Sequence, residues 1–237
     1  MTAADKVVGV IGGMGPDATV DFMARVLAHT PSAADQDHVR MLVDHNPRIP
    51  SRQRAMRGEG ANPGPVLADM AAGLETGGAD FIVMPCNTAH AWQDDIIAAT
   101  RIPFVSIVEE SVRAARKQGI GGPVGVLTTP GCLTAGLYQE ALADVDVVLQ
   151  KPDELGEAMS LIDQIKAGDQ SETVSSGLRA LAERLVARGA AVLIAACTEL
   201  PLVLHASMFD VPLVASTDVL AEKTVSLALG HEALPER

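Results

Sequence analysis

Short apolar runs recur along the chain, each closed by glycine, proline or a small polar residue. They fall at residues 7–11, 39–43, 81–84, 104–107, 124–127, 145–149 and 192–195. Runs of this length, rich in Val and Ile and without polar alternation, predict strands buried on both faces. The stretches between them carry helical spacing. After Gly12-Gly13-Met14-Gly15-Pro16, a helix is expected to start near Asp17 or Thr19 and to present Phe22, Met23, Val26 and Leu27 on one face. Residues 65–75 predict a second helix, stopped by Gly77-Gly78, and residues 90–99 a third. Further helices are expected around Tyr138, Ile162 and Leu181, and residues 46–54 read as a polar loop. This βαβα alternation predicts an α/β fold of mainly parallel sheets flanked by helices.

The pattern also repeats. Gly78-Ala79-Asp80-Phe81-Ile82-Val83-Met84-Pro85-Cys86 lines up with Gly189-Ala190-Ala191-Val192-Leu193-Ile194-Ala195-Ala196-Cys197 at a constant offset of 111 residues (189 − 78 and 197 − 86). The run at 9–11 with its glycine turn matches 125–127 followed by Thr128-Thr129-Pro130-Gly131, and Pro103 and Pro212 each precede another apolar run. Two pseudosymmetric α/β domains follow, facing each other across a cleft. Each delivers a cysteine from the carboxyl end of an equivalent strand, where open α/β sheets place their ligands. The first domain is expected over residues 1–102 with the C-terminal helix, 215–237, returning to it, and the second over 103–214.

Composition narrows the function. The net charge is −12, with 18 basic and 30 acidic side chains, and no basic run is present. This disfavours a nucleic-acid partner, because phosphate binding needs clustered Lys and Arg. No stretch reaches the apolar length of a membrane helix, and the first residues lack a secretory pattern, so a cytoplasmic location is expected. Three cysteines, an odd number, indicate free thiols rather than a disulfide framework. The histidines form no metal-ligand spacing, and no metal site is expected.

Cys86 and Cys197 each sit between a strand and a helix, where backbone N–H groups stabilise a thiolate. Two thiols on opposite faces of a planar carbanion can invert a stereocentre, one removing the α-proton and the other supplying a proton from the far side. Gly12-Gly13-Met14-Gly15-Pro16, Asn46-Pro47-x-Ile49-Pro50-x-Arg52, Met84-Pro85-Cys86-Asn87-Thr88-Ala89-His90, Gly136-Leu137-Tyr138, Ile165-Lys166-Ala167-Gly168 and Cys197-Thr198-Glu199 together resemble the aspartate/glutamate racemase family, over nearly the whole chain. The resemblance implies a cofactor-independent (PLP-independent) homodimeric racemase of aspartate or glutamate, with Cys86 and Cys197 as the catalytic pair. It further implies that Arg52 grips a substrate carboxylate, that Lys166 closes over the substrate from the second domain, and that Met14, Asn87, Thr88, Thr128, Cys132, Thr198 and Glu199 line the substrate site.

The sequence departs from the family pattern at two places. Ser51-Arg52-Gln53 stands where Asp-Arg-Thr is common, and Gly131-Cys132 where Gly-Thr is common. Both changes bear on the substrate more than on the mechanism, and leave open a racemase of broader amino-acid specificity. A decarboxylase or cis–trans isomerase would use the same fold and thiols, and a small-acid binder would use the fold without turnover. Gly13-x-Gly15-x-x-Ala18, with Asp44 ending the next strand, also fits a dinucleotide-binding fingerprint, but that reading leaves the paired cysteines unexplained.

Overall fold

Two four-stranded parallel sheets, built from the two copies of the repeat, carry the fold. A computed structural model describes residues 6–118 and 121–236; residues 1–5, read above for a leader pattern, lie outside it. The first copy runs β1 (Val8–Gly12), α1 (Pro16–His29), β2 (Met41–His45), α2 (Arg52–Met56), α3 (Gly64–Thr76), β3 (Phe81–Val83), α4 (Gln93–Ala99) and β4 (Phe104–Val105). After α5 (Ile107–Lys117), the second runs β5 (Val124–Thr128), α6 (Pro130–Thr134), α7 (Leu137–Ala141), β6 (Val147–Leu149), α8 (Pro152–Lys166), α9 (Glu172–Ala187), β7 (Val192–Ala196) and β8 (Leu213–Ala215), and α10 (Ser216–Ala228) closes the chain. The strand orders are β2-β1-β3-β4 and β6-β5-β7-β8, the same topology twice. Register matches too: Val8 pairs with Met41 and Phe81, and Val124 with Val147 and Val192. Strand β4 pairs with β3 and so belongs to the first sheet, past the expected boundary at residue 102.

The pleat sorts the strand side chains into layers. Val8, Val10, Phe81 and Val83 of the first sheet share one central core with Val124, Val126, Val192 and Ile194 of the second. Phe22 and Val26 of α1, Val108 and Val112 of α5, and Leu220 and Val225 of α10 fill that layer. The alternate residues face outward. Ile11 and Ile82 pack under α3, while Leu127, Leu193 and Ala195 pack under α8 and α9. Gly9 and Gly125 occupy equivalent positions for one reason. A Cβ on Gly9 would come 3.0 Å from Ala79 and 3.1 Å from Leu74; one on Gly125 would come 2.8 Å from Ala190 and 3.3 Å from Leu185. Each glycine lets its covering helix approach the strand backbone.

Some elements differ from the sequence expectation. Helix α1 buries Ala18, Thr19, Phe22 and Val26, whereas Leu27 is exposed. A residue next to Val26 is turned about 100° around the helix, so the two cannot share a face. Ile107 does not extend a strand: Ser106 accepts a hydrogen bond from Glu109 N at 3.4 Å and caps α5 there. The loop at 46–54 gives way to α2, capped by Ser51, whose Oγ accepts from Arg54 N. Helix α10 packs on both α1 and α5, and Lys6 N donates to Ala228 O at 2.9 Å. The C-terminal helix thus touches elements of both halves.

Candidate active site

Equivalent strands end at a common place. The turns after β1, β3, β5 and β7 meet around a cavity of about 50 Å³, lined by Met14, Cys86, Asn87, Thr88, Cys197, Thr198 and Glu199, with Arg52 from α2 and Lys166 from the end of α8. Nine of the expected site residues therefore line one space. Ser51, Gln53 and Thr129 line it as well.

Thr128 and Cys132 lie outside this lining. Thr128 is the last residue of β5; its N–H donates to Gln150 Oε1 at 2.6 Å and its hydroxyl to Ala196 O at 3.2 Å. Cys132 packs into the central core beside Tyr138, and burial pushes its thiol up to about 12. Thr129, one residue beyond the strand, faces the cleft and caps α6, its Oγ1 accepting from Cys132 N. The Thr-Pro pair was the available signal, since a hydroxyl residue before proline is a common helix start.

The first glycine turn is shaped by close packing. Gly13 has φ +96, and a Cβ there would come 2.4 Å from the Asn46 carbonyl carbon. Its N–H donates to Thr19 Oγ1 at 2.8 Å. The Gly15 N–H reaches across the cleft to Glu199 Oε1 at 3.2 Å. The glycine spacing that resembled a dinucleotide fingerprint thus serves contacts within the chain.

The two thiols have unequal surroundings. Both are buried, which pushes both up from the ordinary thiol value. Against this, the Arg52 guanidinium is the leading stabiliser of the Cys86 thiolate, and the Lys166 ammonium that of the Cys197 thiolate. The Glu199 carboxylate opposes both. Cys197 Sγ donates to Glu199 Oε2 at 3.0 Å, and Lys166 Nζ stands 3.9 Å from Glu199 Oε1. By the 111-residue offset, Thr88 is the counterpart of Glu199, so the repeat is chemically broken beside its thiols: neutral on one side, acidic on the other.

Surrounding groups hold these residues in place. Arg52 Nη1 donates to Ile49 O at 3.1 Å and to Pro50 O at 2.8 Å. Tyr138 donates to Asn87 Oδ1 at 2.6 Å, and Asn87 Nδ2 donates to Ser216 Oγ at 3.0 Å. His90 Nε2 accepts from Ile107 N at 3.1 Å, which leaves the proton on Nδ1, 2.9 Å from Cys86 O, to be donated there. Burial pushes His90 down to about 4, so it is a neutral strut beneath the Cys86 turn. Among the described residues, no group of three or more His, Cys, Asp or Glu is placed to hold a metal ion, and no helix is long and apolar enough to cross a membrane.

A larger hollow of about 500 Å³ lies away from the thiols, between α5 and α10. Arg25 is paired with Asp218, Arg113 with Glu110, and Lys223 with Glu232, so its walls mostly neutralise themselves.

The model of the Asp/Glu/hydantoin racemase family matches residues 11–224. The chain belongs to this family. Its named members are racemases, which are isomerases. The aspartate racemase of Picrophilus torridus is 28% identical and superposes with a TM-score of 0.84, covering 97% of this chain and 96% of that one. The broad specificity amino-acid racemase RacX of Bacillus subtilis is 28% identical over 234 residues, 95% of this chain and all of its own. The glutamate racemase isoform RacE1 of Bacillus anthracis, at 20% identity, shares the fold with a TM-score of 0.68, over 98% of this chain and 83% of its own.

Proposed function

We propose that this racemase interconverts the enantiomers of an acidic amino acid, aspartate or glutamate, by proton exchange between Cys86 and Cys197 without a cofactor. The observation that carries the reading is the content of one cavity: two thiols from equivalent strand ends, two cations and one carboxylate. An acidic amino acid presents the complement, two carboxylates and one ammonium. Arg52 holds one carboxylate through the guanidinium edge not engaged with Ile49 O and Pro50 O. Lys166 meets the other, and Glu199 faces the ammonium.

In either direction one cysteine, as thiolate, removes the α-proton, and the opposite cysteine, as thiol, protonates the far face. One proton enters the site on one sulfur and one leaves it on the other, so each turnover exchanges the protonation states of the pair. The carbanion is stabilised by fixed charges in a small, largely buried cavity, where such interactions are stronger than in bulk water. A water needs about 10–15 Å³ of such space, so about 50 Å³ holds roughly four waters, fewer than the nine or ten non-hydrogen atoms of aspartate or glutamate. The halves must separate to load substrate and close again for chemistry. The same reading places the enzyme in the cytoplasm as a homodimer, with the domain boundary between β4 and β5.

A second reading, a racemase of broader amino-acid specificity, is favoured by the neutral Ser51 beside Arg52 and by the name of the Bacillus subtilis relative. One experiment tests both. Single enantiomers of a panel of amino acids are incubated in D2O without added PLP, and α-deuteration and optical purity are followed by NMR and chiral chromatography. Wild type is expected to deuterate and racemise aspartate or glutamate, and Cys86→Ala and Cys197→Ala each to lose racemisation by at least a thousandfold. Folded, reduced wild type that exchanges no amino acid would refute the racemase reading.

A further inference from the structure

Gln53 belongs to neither thiol turn, yet it makes a two-point contact across the cleft. From α2 of the first half, its Oε1 accepts from Gly131 N at 2.8 Å and its Nε2 donates to Thr129 Oγ1 at 2.9 Å. The Gly131 N–H can only donate, so the amide orientation is fixed. Thr129 Oγ1 lies 3.0 Å from Thr88 Oγ1, which extends the contact back to the turn beside Cys86. The fit is tight: a Cβ on Gly131 would come 2.7 Å from Gln53 Oε1. Gln53 also follows Arg52 directly and shares the cavity wall with it.

We propose that Gln53 is the residue that sets how long a substrate side chain this racemase accepts. The reasoning rests on the carboxylate role of Arg52 given above. Loading requires the halves to part, which breaks the bonds of Gln53 to Thr129 and Gly131, and closure remakes them. Its carboxamide is then a fixed wall one residue from the guanidinium. A side chain that reaches this wall keeps the two bonds from forming and holds the site open to water. Length is therefore read through closure. Shortening residue 53 removes the wall and leaves the Gly131 N–H and the Thr129 hydroxyl free for a more distant carboxylate.

The test compares wild type, Gln53→Ser and Gln53→Ala on aspartate, glutamate and 2-aminoadipate. It records kcat/KM for α-proton exchange and, separately, Kd by calorimetry, with thermal unfolding as a check on folding. Wild type is expected to show a drop of at least tenfold at one step of the series. In Gln53→Ala that drop should shrink at least tenfold, with KM carrying most of the change. Uniform weakening for all three lengths would make Gln53 a structural clasp only and overturn the proposal, as would an unchanged length profile. The racemase reading fails or stands separately. Exchange with an unmoved cutoff refutes the length role alone; binding with a moved cutoff but no exchange refutes the racemase alone; no binding by any protein refutes both.

Discussion

Replacing Glu199 by glutamine isolates the asymmetry between the two thiols. The amide keeps the size of the side chain and can still accept from Cys197 Sγ, but it removes the negative charge 3.0 Å from that sulfur. Two unit charges at about 4 Å interact by roughly 4 kcal/mol at an effective dielectric near 20. Lys166, 3.9 Å from the carboxylate, offsets part of this. If only a third survives, about 1.4 kcal/mol remains, a factor of roughly ten in the thiolate population. Glu199 holds the Cys197 thiol up and so favours its protonated form. Its removal should therefore raise the fraction of Cys197 thiolate at every pH below the thiol's midpoint. The assay is iodoacetamide labelling from pH 6 to 9, quantified by peptide mass spectrometry for Cys86 and Cys197 separately. Cys197 in Glu199→Gln should label at least tenfold faster than in wild type at pH 7, and Cys86 should change less because Arg52 outweighs Glu199 there and Glu199 bonds directly to Cys197. Turnover should fall by about a hundredfold, a scale typical of a lost acid/base contribution, although the thiol has become more reactive. Unchanged or slower labelling of Cys197 would show that the Sγ–Oε2 contact does not control that proton, and would refute the reasoning.

Two further predictions concern stability. His90 is held neutral, its value depressed from 6.5 to about 4. The unfolded chain therefore takes up a proton that the folded chain refuses, and the stability present above pH 6.5 is lost as pH falls toward 4. About 2 kcal/mol should disappear between pH 7.5 and 5 in urea titrations of wild type but not of His90→Gln, whose amide can still meet Ile107 N; parallel curves for the two proteins would contradict this. Arg188 binds both oxygens of Glu154, at 2.7 and 2.8 Å, and also Leu149 O at 3.1 Å, tying the end of α9 to the start of α8 and the end of β6. Glu154 is buried, so Arg188→Met strands its charge and should cost about 3 kcal/mol in urea unfolding, with partial recovery in the Arg188→Met, Glu154→Met double variant. A loss below about 1 kcal/mol would show that water replaces the pair.

The parts of this racemase legible in its sequence are those that topology fixes. A buried parallel strand needs an unbroken apolar run, a covering helix needs a glycine beneath it, and a ligand turn must follow the strand's carboxyl end. Each of these leaves local marks that the repeat prints twice, which is why Cys86 and Cys197 could be paired from an offset alone. Positions and contacts set by distant parts of the chain are the reverse case. Ile107 and Val108 continue the apolar run of β4, and only the Ser106 cap divides strand from helix. Thr128 and Thr129 differ by one position, yet the strand's last residue turns inward to Ala196 and the next opens onto the cleft. Gln53 and Glu199 gain their meaning from partners far along the chain, Gly131 and Gly15, which sit in the opposite half. Local periodicity carries no record of such contacts. The thiols proposed to transfer protons lie at strand ends that each half positions for itself, so they are readable from either copy of the repeat. The proposed determinants of selectivity and proton asymmetry lie in contacts between the halves, where the two copies have diverged, and they become visible only when the halves are brought together.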